Sequence, residues 1–196
     1  MRWVGTWATT PAATEESALN GQTIRMIAHV SIGGKKLRVK ISNAYGRQRL
    51  NIGGASIAYQ TQGAAIDIQT LRTVTFDGQE TTAIAPGALA LSDQIELNLL
   101  PLSDISISLF LPDNISRGFD LTGHTTCNQT NYISTPGNHI GVGMLPIEKV
   151  TDTYLLVSGV DVEAPPGTGG IVTLGDSLTD CNISTVDANN RWPDQL

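Results

Sequence analysis

The sequence has little positive charge, few cysteines and no long apolar run, and each shortage excludes a class of protein. Its 196 residues include 12 lysines and arginines against 18 acidic residues, which gives a net charge of −6. No basic stripe is therefore present to neutralise nucleic-acid phosphates or to hold the chain on an anionic membrane. No apolar run approaches the roughly 18 residues that span a bilayer. The sequence predicts neither a nucleic-acid partner nor a membrane span.

The two cysteines, Cys127 and Cys181, are too few for a disulfide framework in a chain of this length. We therefore expect both thiols to be free. The first residues, MRWVGTWATTPAA, lack the charged and then apolar pattern of a secretion signal. The compartment stays open between the cytoplasm and the mature form of a secreted protein.

Short runs of alternating apolar and polar residues dominate the chain up to about residue 163. In residues 37–42 the apolar side chains fall at every second position, which is typical of a strand with one buried face. Gly33-Gly34 separates this run from the apolar run 23–31 and predicts a tight hairpin. Without an amphipathic helix before residue 164, the pattern predicts a β-sandwich or jelly roll over 1–163. Further candidate strands are 52–59, 72–76, 95–99, 105–111, 131–135 and 154–162.

The composition changes after residue 163. Residues 164–170 have the composition of a linker, and residues 171–174, IVTL, are apolar with little alternation, as in parallel strands buried on both faces. Residues 190–196 resemble the start of a helix, with Pro193 and Asp194 in its first turn. A parallel strand needs neighbours that about 30 residues cannot supply. We therefore expect 171–196 to be the incomplete start of a second domain, in the front part of a longer protein.

Ser177 follows the apolar run 171–174 and comes directly after Gly175 and Asp176. A serine hydroxyl is a weak nucleophile unless a base accepts its proton and donors stabilise the oxyanion. A serine at the carboxyl end of a strand stands where open α/β folds bind ligands, and its own N–H can face a developing negative charge. Gly175 would permit the tight backbone and Asp176 would hold the turn. The simpler alternative is that Asp176 and Ser177 cap a helix.

The stretch IVTLGDSLTD, followed by STVDANNRWPDQL, resembles the first sequence block of the GDSL, or SGNH, family of esterases and lipases. The resemblance implies that a flavodoxin-like α/β/α hydrolase domain begins at residue 171 and that acyl transfer uses a Ser-His-Asp triad. Ser177 would be the nucleophile, and its N–H would be one oxyanion donor. The histidine, the aspartate and the other donors would lie beyond Leu196. The N-terminal half is similar to a subgroup with a β-sandwich ahead of the catalytic domain, in the segments WVGTWA (3–8), SNAYG (42–46) and QTNY (129–132).

One position departs from that family. Cys181 stands where the family often has glycine. If this position requires a positive φ, a cysteine there is strained. We expect its thiol to have no part in the chemistry.

None of the three histidines is a strong candidate for the base. His29 lies within a candidate strand, where we expect a structural role. His124 and His139 lie in a segment rich in Gly, Asn and Thr, where surface loop residues are the default. Their scattered positions show no metal-ligand spacing, so we expect neither a metal nor a cofactor.

The sequence therefore predicts the N-terminal portion of a serine carboxylic-ester hydrolase. Its partners would be an ester substrate and a complementing C-terminal fragment of the same protein. The chain alone should be nearly inactive, because a serine without its base loses most of its rate. The alternative is a non-catalytic β-sandwich module that binds a ligand such as carbohydrate, since a fold does not imply a function.

Overall fold

The computed structural model describes residues 1–14, 18–115 and 121–196, and these fold mainly into β-strands, as the sequence predicts. They contain seventeen strands, two short 3₁₀ turns and no α-helix. No helix in these residues is long and apolar enough to cross a membrane. The strands are β1 (Arg2–Ala8), β2 (Ala12–Thr14), β3 (Leu19–Val30), β4 (Gly34–Ser42), β5 (Leu50–Ile52), β6 (Gly54–Gln62), β7 (Ala65–Ile66), β8 (Arg72–Thr73), β9 (Thr82–Ile84), β10 (Leu89–Leu91), β11 (Ile95–Leu99), β12 (Ser103–Ile115), β13 (Leu121–His124), β14 (Asn131–Pro136), β15 (Ile147–Thr151), β16 (Tyr154–Leu155) and β17 (Val157–Ala164).

Two large antiparallel sheets share the main core. The first has the order β1-β17-β4-β10, with β11 also paired to β4. The second has the order β15-β14-β3-β12-β6-β7, with β8 also paired to β6. One cluster of buried side chains takes residues from both sheets, among them Val39 and Val160 from the first and Ile24 and Ile107 from the second. The predicted sandwich is this pair of sheets, to which the described residues add two smaller sheets, β16-β13-β2 and β5-β9.

The predicted hairpin at Gly33-Gly34 is wrong. β3 belongs to the second sheet and β4 to the first, so the chain crosses between the sheets here. Neither glycine has a positive φ. Glycine is needed for close approach instead, because a Cβ at Gly33 would overlap the Leu99 carbonyl and one at Gly34 would overlap the Val162 side chain. Alternation predicts which face of a strand is buried, but it does not predict which strand is the neighbour.

Residues 171–174 do not form the predicted buried strand. Val172 is 92% exposed and Leu174 is 98% exposed, and neither belongs to a sheet. A parallel strand requires paired neighbours and cover on both faces, and none of the described strands pairs with these residues. The predicted helix start at 190–196 is a single 3₁₀ turn, Trp192–Gln195, with Asp194 in its first turn. The flavodoxin-like domain and the division of the chain at 164–170 stay predictions.

Candidate functional site

Ser177 is the second residue of a tight turn, residues 176–180, which we name the serine turn. The Asp176 carboxylate accepts a hydrogen bond from the Leu178 N–H at 3.0 Å. The Asp176 carbonyl accepts another from the Asp180 N–H, also at 3.0 Å. These are the contacts of a capped turn, so Asp176 fixes the backbone around Ser177.

The reactive groups of Ser177 are accessible. Its side chain is exposed, and neither its hydroxyl nor its N–H has a hydrogen-bond partner within the described ranges. An exposed hydroxyl next to an unpaired N–H offers a nucleophilic oxygen and one oxyanion donor. Gly175 is required by packing, because a Cβ there would overlap the Thr179 side chain. Both groups are therefore free to meet an incoming ligand, and no histidine of the described chain is bonded to the serine.

His124 bonds the serine turn through Asp180. Its Nε2 lies 3.0 Å from each carboxylate oxygen of Asp180, and its Nδ1 lies 3.0 Å from the Thr10 carbonyl oxygen. The expectation of a surface loop residue is wrong, since His124 ends β13 and its side chain is only 20% exposed. Both ring nitrogens already face acceptors, so His124 in this arrangement cannot accept the proton of Ser177.

Asp187 holds the rest of the C-terminal segment, which we define as residues 171–196, against the sandwich. Its carboxylate accepts hydrogen bonds from the N–H and the hydroxyl of Thr130, both at 2.6 Å, and from the Gln129 amide at 2.7 Å. The Asn128 amide donates to the Cys181 carbonyl at 2.7 Å. Hydrogen bonds to a charged acceptor are about twice as strong as neutral ones. The QTNY block therefore begins with residues that bind this segment, a contact that sequence reasoning missed.

A third polar contact joins Asn189 to the sandwich. His29 Nδ1 lies 2.8 Å from an Asp104 carboxylate oxygen, and the Asn189 amide nitrogen lies 3.0 Å from that ring nitrogen and 3.1 Å from that oxygen. His29 and Asp104 are directly opposite each other in β3 and β12. This is the structural role that we expect for His29. His139 instead contacts the Pro136 carbonyl at 3.4 Å.

Within residues 1–14, 18–115 and 121–196, no group of three His, Cys, Asp or Glu side chains is placed to hold a metal ion. The two histidine–aspartate pairs are hydrogen-bonded bridges: His29–Asp104 joins β3 to β12, and His124–Asp180 joins β13 to the serine turn.

Arg191 anchors the end of the C-terminal segment beside a buried thiol. Its Nε donates to Asp194 at 2.7 Å, and its Nη1 donates to the Cys127 carbonyl at 3.3 Å. Burial would lower the pKa of Arg191, but the hydrogen bond to Asp194 and the nearby acidic groups outweigh it and raise that pKa. Burial raises the pKa of the Cys127 thiol to about 12 and also raises the pKa of Tyr154. Cys127 is therefore protonated at neutral pH and is not a competing nucleophile.

Several residues of the C-terminal segment have left-handed backbone conformations. Cys181 has a φ of +59° and Ile183 a φ of +71°. Such angles are uncommon outside glycine, and for a β-branched residue they are outliers. The strain that we expect for a cysteine at this position is therefore present, and neither cysteine forms a disulfide. Strained backbone persists where surrounding contacts hold it, and at Cys181 one such contact is the hydrogen bond that the Asn128 amide donates to its carbonyl.

The chain matches no protein-family model, and no curated protein matches it closely enough to establish a relationship. The likeness to GDSL esterases therefore rests on the sequence motifs, and the site rests on the geometry of Ser177 and its turn.

Proposed function

We propose that this chain supplies the nucleophile and the first oxyanion donor of a GDSL-type serine esterase. The single observation that carries the proposal is Ser177, with its exposed hydroxyl and unpaired N–H at the start of a turn held by Asp176. The hydroxyl oxygen would attack an ester carbonyl, its proton would pass to a base, and the alcohol would leave. Water would then attack the acyl-enzyme, release the carboxylic acid and restore the serine.

The base, the orienting acid and the remaining oxyanion donors would come from a further part of the same protein. Two features support this part of the proposal. Both nitrogens of His124 are already used, so the histidine that bonds the serine turn is not the base. The apolar side chains of Ile171, Val172 and Leu174 are each at least 79% exposed, and exposed apolar side chains grouped in this way favour a surface that another element covers. In this proposal that element is a strand from the same further part of the protein.

The non-catalytic alternative has one supporting feature. A cleft of about 470 Å³ lies between β15 and the C-terminal segment, in the size range of small-molecule sites. Its lining includes the polar residues Gln129, Thr130 and Asp152 together with Val186. The Gln129 amide and the Thr130 hydroxyl already donate to Asp187, which leaves the Asp152 carboxylate to accept hydrogen bonds from carbohydrate hydroxyls. Glycan binding is the second outcome of the test.

The test is covalent labelling of Ser177. The longest polypeptide encoded by this reading frame is treated with a fluorophosphonate probe and, separately, with p-nitrophenyl acetate. We expect the probe on Ser177, with Ser177→Ala abolishing both labelling and hydrolysis. The matched control Ser184→Ala removes a hydroxyl from the same segment and should retain both. An unlabelled Ser177, together with retention of the protein on immobilised polysaccharide, would overturn the esterase in favour of the binding module.

A further inference from the structure

His124 forms two hydrogen bonds that a neutral imidazole cannot make together. Its Nδ1 faces the Thr10 carbonyl oxygen and its Nε2 faces the Asp180 carboxylate, all at 3.0 Å. Both partners are acceptors, and a neutral imidazole has a single N–H. In either neutral form, one ring nitrogen would point a lone pair at an oxygen. The geometry therefore fits the doubly protonated ring, which donates to both partners.

The bond to Asp180 reaches Ser177 through the backbone. The Asp180 N–H donates to the Asp176 carbonyl at 3.0 Å, and the Asn182 N–H donates to the Ser177 carbonyl at 2.9 Å. A fixed Asp180 side chain therefore fixes the turn that presents the Ser177 hydroxyl. On the opposite side of the histidine, Thr10 belongs to the N-terminal part of the sandwich, next to β2.

We propose that His124 is a positioning residue for Ser177, holding the serine turn against the sandwich through Asp180 and doing so only as an imidazolium. The serine turn is then clamped while the ring carries both protons and loosens when one of them is removed. The effect on Ser177 reactivity rests on the proposed esterase function. The clamp itself does not.

Few other ionisable groups face this bridge. The described residues of β2 and β13 contribute none besides His124, and Thr10 contributes a carbonyl. Tyr154 lies directly opposite His124 in β16, and burial raises its pKa, so its hydroxyl keeps its proton at neutral pH. Arg191 lies near the Tyr154 hydroxyl and keeps its charge at every pH used. His124 and Asp180 are thus the two ionisable side chains that meet at this bridge.

The clamp is tested by hydrogen exchange of the full chain at about pH 5.5 and about pH 8, corrected for the intrinsic exchange rate. We expect the amides of residues 179–182 to lose about tenfold or more of their protection at the higher pH, because a charge-assisted hydrogen bond is lost. His124→Gln keeps one donor but no titration, so its protection should not depend on pH. Asp180→Asn should behave in the same way. His139→Gln is the matched control and should keep the wild-type pH dependence.

A purely structural role for His124 would give a different result. His124→Gln would then lower protection equally at both pH values, and the wild-type chain would show no pH dependence. Either result overturns the clamp. Circular dichroism of each variant must match the wild type, so that a change in exchange does not come from global unfolding. Asp180→Asn provides a second measurement, because it changes the bridge from the serine turn and leaves β13 intact.

The esterase proposal and the clamp proposal can each be refuted without refuting the other. The rate of fluorophosphonate labelling at Ser177 is measured over the same pH range in the wild type and in His124→Gln. Unlabelled Ser177 with pH-dependent exchange would refute the esterase and leave the clamp standing. Labelled Ser177 with exchange that is unchanged by His124→Gln would refute the clamp and leave the esterase standing.

Discussion

The sandwich and the C-terminal segment are held by different interactions. In the sandwich, Ile107 and Val160 are fully buried between the two large sheets. In the segment, Leu174 is 98% exposed, and docking relies on side-chain hydrogen bonds such as those of Asp187. A buried aliphatic side chain contributes about 1.5–3 kcal/mol, whereas a typical hydrogen bond contributes about 1 kcal/mol. We therefore expect the segment to open while the sandwich stays folded.

A fully buried arginine in the sandwich and a partly buried arginine in the segment show the same contrast. Arg25 in β3 is fully buried, and its guanidinium donates to the Ser108 hydroxyl at 2.9 Å and to the Val142 carbonyl at 3.0 Å. Burial lowers the pKa of Arg25 to about 10. Arg191 has a carboxylate partner, Asp194, and its pKa is raised. The sandwich tolerates the cost of burying Arg25 because its apolar core is large. The segment has no comparable apolar core to offset such a cost.

The largest difference between the regions should appear on truncating apolar side chains. Ile107→Ala removes methyl groups from the core and should lower the free energy of unfolding by about 2–5 kcal/mol. Val172→Ala makes a similar change in an exposed side chain and should alter it by less than about 0.5 kcal/mol. Urea unfolding followed by fluorescence measures both. If Val172→Ala were as costly as Ile107→Ala, the apolar run 171–174 would be buried and the comparison would fail.

Alkaline pH should weaken the sandwich through Cys127. Burial raises the pKa of its thiol from 9.0 to about 12, so the folded state keeps a proton that the unfolded state releases. The stabilisation is complete below pH 9 and is lost as the pH rises towards 12. The free energy of unfolding should fall by about 2–3 kcal/mol over the two pH units above 9.

The measurement is the pH dependence of the unfolding free energy. Cys127→Ala should show a shallower decline than the wild type over this range, whereas Cys181→Ala, at the half-buried cysteine, should follow the wild-type slope. Parallel curves for the wild type and Cys127→Ala would show that the thiol is not desolvated.

The smallest effect should come from releasing the segment. Asp187→Ala removes three hydrogen bonds to Gln129 and Thr130 and should destabilise docking by about 2 kcal/mol. Hydrogen exchange of residues 187–196 should quicken by more than tenfold, with the midpoint of global unfolding nearly unchanged. Thr130→Val removes one of the donors and should give a smaller change in the same direction. A large drop in the global midpoint would mean that the two regions unfold together.

Local patterns were enough to predict most of the sandwich. The alternation at Ile95, Leu97 and Leu99 predicts one buried face, and all three are at most 5% exposed in β11. Side chains alternate across any extended strand, so residue order alone carries this information. The candidate strand 131–135 likewise corresponds to β14, Asn131–Pro136.

Contacts between distant residues could not be predicted in this way. His124 and Asp180 are 56 residues apart, and the pattern around each shows nothing about the other. Gly33 and Gly34 are compatible both with a hairpin and with a crossing between sheets. Only the positions of Leu99 and Val162 distinguish the two. The run 171–174 has the composition of a buried strand, but composition does not supply a neighbour to pair with it.

The order of the residues by itself determined that the protein is mainly β, and it determined the serine turn, since Asp176 caps a residue only two positions away. The tertiary structure decided that His124 bridges Thr10 and Asp180 and that residues 171–174 lie exposed. The reason is the range of the interactions involved. Alternation and capping act between near neighbours in the chain, whereas a bridge or a strand pair exists only after folding has brought distant segments together.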